Sequence, residues 1–258
     1  MSEIIFSIEN GVGKIILNRP NVFNSVNRAL ALAFQDALRQ CAQNQEIRAV
    51  LITGEGKAFC AGQDLQEATD PNGPSFETLL TEHFNPIVSL ITSLEKPVVC
   101  AVNGVAAGAG ANIALCCDIT IAKESSSFIQ AFANIGLVPD SGGTWLLPRL
   151  IGRQKAVALA MLGEKVSATD AEALGMIYKV LPDDEYQVFA EKLAMKLAQM
   201  PTKGLAMTKK LFELSANNSF QEQLACEKKY QIAASETADY KEGVSAFLEK
   251  RKPVFKGK

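Results

Sequence analysis

Apolar residues follow two rhythms along this chain. Continuous runs at 49–53, 98–102 and 119–122 are too short for helices and rich in β-branched residues, so each predicts a strand buried on both faces. Residues 4–8 and 14–17 flank Asn10-Gly11, a pair suited to the positive φ angles of a two-residue hairpin turn. Between these runs the spacing becomes helical. Leu30, Phe34, Leu38 and Cys41 share one face of 26–41, and 86–94 forms a helix that Lys96-Pro97 stops. Strands separated by helices predict an α/β layered domain with a parallel or mixed sheet. After Gly163 the pattern is helical, at 168–174, 184–199, 202–215, 220–233 and 237–250, with Gly175, Pro201 and Asn217-Asn218 as breakers. No repeat or linker intervenes, so one domain with a helical appendage is expected, divided as 1–195 for the core and its site and 196–258 for the appendage.

Composition narrows the partners. The 258 residues carry 48% hydrophobic and 21% charged side chains, a globular balance that excludes disorder and fibrous repeats. Net charge is −2, from 26 basic and 28 acidic residues, and nucleic-acid binding is disfavoured because phosphate recognition needs a basic surface. The longest apolar zone, 98–122, is broken by glycines, asparagines and Asp118, so no membrane span is expected. The first residues lack a secretory pattern, and six cysteines without CxxC spacing predict reduced thiols in a cytoplasmic protein.

Three stretches could carry chemistry. In 57–65, Gly62 frees the backbone so that the Gln63 amide can face a cavity, while Asp64 orients the loop. The plainer alternative is a strand-to-helix loop capped by Asp64. In 103–112, Gly104, Gly108 and Gly110 match neither GxGxxG nor a P-loop. Tight helix packing and a turn presenting free amides to a developing oxyanion both remain open. In 136–149, Asp140 is either an N-cap or, among apolar neighbours, a carboxyl with a raised pKa able to shuttle protons. His83 is the only histidine and reads as a packed or helix-surface residue. The cysteines lack zinc-ligand spacing and GxSxG is absent. What remains is one carboxylate with backbone amides and no metal.

These blocks resemble the crotonase (enoyl-CoA hydratase/isomerase) superfamily: Leu17-Asn-Arg-Pro20 with Asn24-Ser25, Phe59-Cys-Ala-Gly-Gln-Asp64, Ala101-Val-Asn-Gly104, Cys117-Asp118, 136–143, Glu242-Gly243 and 247–251. Their wording is most similar to one branch, the ring-epoxide isomerases of bacterial phenylacetate breakdown, which turn epoxyphenylacetyl-CoA into an oxepin. The resemblance implies a spiral ββα core with a helical C-terminal trimerisation region, in homotrimers or hexamers. It implies an acyl-CoA substrate, with coenzyme A as part of the substrate and no separate cofactor. Its oxyanion hole would use the amides of Gln63 and Ala109. Substrate and CoA contacts would fall on Asn21, Val22, Phe23, Ala61, Gly62, Asp64, Leu65, Gly108, Gly110 and Phe132, with Phe247 and Lys250 coming from a neighbouring subunit.

The departures bear on the reaction. Ungapped matching of the blocks puts Asn112 and Phe132 where hydratases hold two water-activating glutamates, and Asp140 where they hold glycine. Some isomerases and an aryl-CoA dehalogenase carry aspartate there. The resemblance therefore implies an acyl-CoA isomerase with Asp140 as proton shuttle, acting by epoxide opening or by a double-bond shift. The rival expectations are an enoyl-CoA hydratase, an Asp140 nucleophile of the dehalogenase kind, and a non-catalytic acyl-CoA-binding protein.

Overall fold

A computed structural model describes residues 2–258. The hairpin forms as expected. Strands β1 (Ile4–Glu9) and β2 (Val12–Leu17) pair antiparallel across Asn10 and Gly11, whose φ angles are 52° and 78°. The buried runs become β3 (Ala49–Gly54), β5 (Val98–Val102) and β7 (Ile119–Lys123), all parallel. With β10 (Lys179–Leu181) they complete a six-stranded sheet ordered β1-β2-β3-β5-β7-β10.

A second sheet runs β4-β6-β8-β9, from β4 (Ala58–Cys60), β6 (Val105–Ala107), β8 (Ser127–Ile129) and β9 (Lys165–Ser167). Successive passes of the chain give one strand to each sheet and then a helix. This is the α/β spiral ββα core that the resemblance implied.

Local details differ from expectation. Residues 103–112, read as tight helix packing or as a turn presenting free amides, contain β6, and the helix starts only at Ala109–Leu115. The region after Gly163 is not purely helical, because β9 and β10 lie within it; strands of three residues are too short for periodicity to register. The division expected at 195/196 lies within the helix Tyr186–Ala198, and the next helix starts at Thr202.

Both faces of the large sheet are covered, which is why its central strands are apolar throughout. Val50 and Ile52 pack with Leu30, Phe34 and Leu38 of the helix Arg28–Gln43 and with Ile87 and Ile91 of the helix Asn85–Ser93. Ala49, Leu51, Val99 and Ile121 face Tyr186, Ala190 and Ala194 on the other side. The helix expected from residue 26 starts at Arg28 because Asn27 caps it, its side chain accepting from the Leu30 amide. Among the described residues no helix is long and apolar enough to cross a membrane.

Candidate active site

Two loops meet beside β4 and β6. In the first, Gly62 has φ +89°, a conformation that favours glycine. Its carbonyl accepts from the Val26 amide at 2.7 Å, and the Asp64 amide donates to the Val26 carbonyl at 2.9 Å. Those bonds take up the residues on either side of Gln63 and leave the Gln63 amide with no acceptor among the described residues.

The second loop enters the helix Ala109–Leu115 through Gly108, at φ +53°. The Gly108 amide donates to the Ile129 carbonyl at 2.9 Å, whereas Ala109 opens the helix and so carries one of its unpaired N–H groups. A Cβ on Gly62 would stand 3.0 Å from the Ala107 oxygen and 3.5 Å from the Ala109 nitrogen, so the two loops touch at this glycine. Gly110 seals the junction from below, since a Cβ there would overlap the Cys60 carbonyl. Packing and amide presentation thus coexist in 103–112.

Both carboxyl oxygens of Asp64 are engaged. Its side chain accepts from the Gln66 amide as the cap of the short helix Leu65–Ala68, and its other oxygen accepts from Arg19 Nη1 at 2.7 Å. Burial alone would raise this carboxyl, but the Arg19 guanidinium and the Gln66 amide outweigh it and hold it below the usual carboxylate range. Arg19 also donates to the Ser25 carbonyl at 2.6 Å. Asn24, fully buried at φ 54°, donates to the Glu55 and Ala58 carbonyls. These bonds carry Asn21, Val22 and Phe23 on an exposed turn (Phe23 is 55% exposed) beside exposed Ala61 and Leu65.

Asp140 is not an N-cap: that position belongs to Gly142, ahead of the helix Gly143–Ile151. Its carboxyl is free for other work, with the Ser141 hydroxyl donating at 2.9 Å. Burial pushes it above the usual carboxylate range, partly offset by that hydroxyl. Phe132, buried, lies with its ring end 3.8 Å from where a Gly108 Cβ would stand, giving the second loop an apolar wall. Asn112, one turn into the same helix, donates to the Asp140 carbonyl at 2.9 Å, so the Ala109 amide and the Asp140 loop hang on one short helix.

The remaining expected residues lie apart. Phe247, 82% exposed, and Lys250, also exposed, sit at the end of the helix Ala238–Leu248, and no hydrogen bond or ion pair joins them to these loops within the chain. His83 is fully buried on a π-helical turn, Leu79–Phe84, and neither nitrogen has a hydrogen-bond partner among the described residues, although Nδ1 lies 3.9 Å from the Glu67 carboxylate; burial lowers its pKa. Arg19 and Gln130 are the participants that sequence reading missed. Arg19 stands in a matched block, yet nothing in the sequence ties it to Asp64, 45 residues away.

The enoyl-CoA hydratase/isomerase family model matches residues 7–258. The chain belongs to that family. Within it, this family member is 47% identical over 262 aligned positions to 1,2-epoxyphenylacetyl-CoA isomerase of Escherichia coli (strain K12), covering all of both chains. It is 34% identical to the 2,3-dehydroadipyl-CoA hydratase of the same organism, again over all of both chains. An enoyl-CoA hydratase structure from Bacillus anthracis superposes with a TM-score of 0.93 at 33% identity, over 99% of this chain and 100% of the other. The family thus places this fold among acyl-CoA isomerases and hydratases.

Proposed function

We propose that this protein is an acyl-CoA isomerase in which Asp140 moves a proton between two carbons of a thioester-bound acyl group. The thioester oxygen sits on the Gln63 and Ala109 amides, where negative charge concentrates as the enolate forms. A donor aimed at that charge lowers the barrier by roughly 2.7–4 kcal/mol. Asp140 takes the proton from one carbon and returns it to another, so a single carboxylate suffices; its raised pKa suits proton transfer near neutral pH. With a ring epoxide as substrate, the same group assists opening and expansion of the ring. Phe132 keeps the pocket apolar and favours aryl or alicyclic acyl groups.

One observation carries this reading. Asn112 and Phe132 occupy the two places that the family resemblance gives to the hydratases' glutamates, and neither takes up a proton as a base, whereas Asp140 stands in the same loop system with its carboxyl uncommitted. The 47% identity to 1,2-epoxyphenylacetyl-CoA isomerase supports the ring-epoxide substrate in particular. Assembly through the C-terminal helices accompanies the reading, since a CoA site that uses Phe247 and Lys250 needs a second subunit.

The test compares wild type and Asp140→Asn on a β,γ-enoyl-CoA and on 1,2-epoxyphenylacetyl-CoA, with crotonyl-CoA hydration as control. Loss of turnover by about a hundredfold or more, with KM little changed, is expected, because one positioned acid–base group contributes about 10²–10⁴-fold. Near-normal turnover in the variant, or rapid hydration of crotonyl-CoA by wild type, rejects the reading.

A further inference from the structure

Two amides, Asn112 and Gln130, face each other beside the Asp140 loop, and Asn112 stands where the family resemblance expects an acid. Asn112 is fully buried, its Nδ2 donating to the Asp140 carbonyl at 2.9 Å and its Oδ1 accepting from Gln130 Nε2 at 2.8 Å. A carbonyl can only accept, so Asn112 must turn its NH2 group toward Asp140. Its oxygen then faces Gln130, which must in turn present its own NH2 group. This relay ends on Gln130 Oε1, which is buried without a hydrogen-bond partner among the described residues. The orientation of both amides is therefore set from the Asp140 end.

Asn112 is one of two donors to the Asp140 carbonyl. The Gly143 amide also donates to the Asp140 carbonyl, at 2.9 Å, and a Cβ on Gly143 would overlap the Asn112 side chain, so the backbone closes directly on the amide. Leu137 and Val138, just before Asp140, are exposed, Val138 to 80%.

We propose that Asn112, oriented by Gln130, is a positioning residue for the Asp140 carboxyl, a neutral relay that holds the shuttle in place without adding a second charge beside it. The proposal rests on the reading of Asp140 given above. A proton shuttle changes its charge every turnover, and a neighbouring carboxylate would bias it toward its protonated form. The elements around Asp140 carry little else that titrates. Ala109–Leu115 and Ala131–Ile135 have no ionisable side chain, and Arg149, the only one on Gly143–Ile151, donates to the Trp145 carbonyl and lies 4.1 Å from the centre of its ring.

The experiment follows kcat and KM on a β,γ-enoyl-CoA, and the Asp140 carboxyl titration by 13C NMR, in wild type, Asn112→Leu, Asn112→Asp, Gln130→Met and Asp140→Asn. Asn112→Leu and Gln130→Met should lower kcat by about ten- to a hundredfold with KM within about threefold, the usual consequence of a misplaced catalytic group. Asn112→Asp should move the Asp140 midpoint and the acid limb of kcat/KM upward by about one pH unit, through like charge. If Asn112→Asp does not fold by circular dichroism, the two neutral variants decide. Unchanged kcat in both neutral variants, while Asp140→Asn is inactive, overturns the relay alone. Normal turnover in Asp140→Asn overturns the shuttle and the relay together.

Discussion

Asp140 and Asp64 are both aspartates in loops beside the site, and their surroundings drive them in opposite directions. Asp64 meets a guanidinium and a helix-start amide and stays ionised; Asp140 meets one hydroxyl and is otherwise desolvated. The linkage signs follow. Asp64 titrates lower folded than unfolded, so it stabilises the fold above its unfolded pKa and loses that contribution as pH falls through its folded value. Asp140 titrates higher when folded, so its ionised form opposes folding above that value and the opposition fades on acidification. Asp140→Asn should therefore raise Tm at pH 7.5 while abolishing turnover, and the gain in Tm should shrink as pH drops into the range where the wild-type carboxyl is protonated. A thermal melt series across pH checks this; a Tm that falls on substitution at neutral pH contradicts the raised pKa.

At the scale of elements, the site is two strand-to-helix loops kept in register by glycine. Gly62 adopts φ +89° with its missing Cβ aimed at the Ala107 oxygen, so both conformation and space exclude a side chain. Gly62→Ala should cost about 1–3 kcal/mol of stability. It should also cut kcat more than it raises KM, because the Gln63 amide would shift from where the charge develops. Denaturant titration and steady-state kinetics on the same preparation separate these effects. The hairpin pair Asn10-Gly11 and the buried strand runs were legible, because each is a local backbone preference or a burial pattern, whereas the Asn27 cap that delays the helix of 26–41 to Arg28 was not read. The three-residue strands β4, β6, β8, β9 and β10 were not, because neighbouring strands rather than their own residues make them extended.

Across the whole molecule, one arginine ties the first and last parts of the chain. Arg48 donates through Nη2 to the Met200 carbonyl at 2.6 Å, through Nη1 to the Phe255 carbonyl at 2.7 Å and through Nε to the Thr202 hydroxyl at 3.1 Å. Asp118 adds a second tie, accepting from the Val98 amide and from Lys209 Nζ. Hydrogen bonds to a charged group contribute about 1.5–3 kcal/mol each, so Arg48→Met should loosen residues 199–258 without melting the sheet. Hydrogen exchange measured by mass spectrometry should show faster exchange there and unchanged protection in β3, β5 and β7. Uniform loss of protection would mean that the C-terminal helices and the core unfold as one unit.

Order along the chain determined a great deal: the alternation of strands and helices, the caps and turns, the excess of acids over bases, and the short list of residues able to do chemistry. Those properties are local, and each residue type expresses them wherever it stands. Only the tertiary structure decided which of two aspartates would be neutralised by an arginine 45 residues away and which would be left desolvated. It also decided that Asn112 would meet Asp140 across 28 positions. A pKa depends on charge and solvent in three dimensions, and a hydrogen bond on distance and angle, so neither could be read before the loops were brought together.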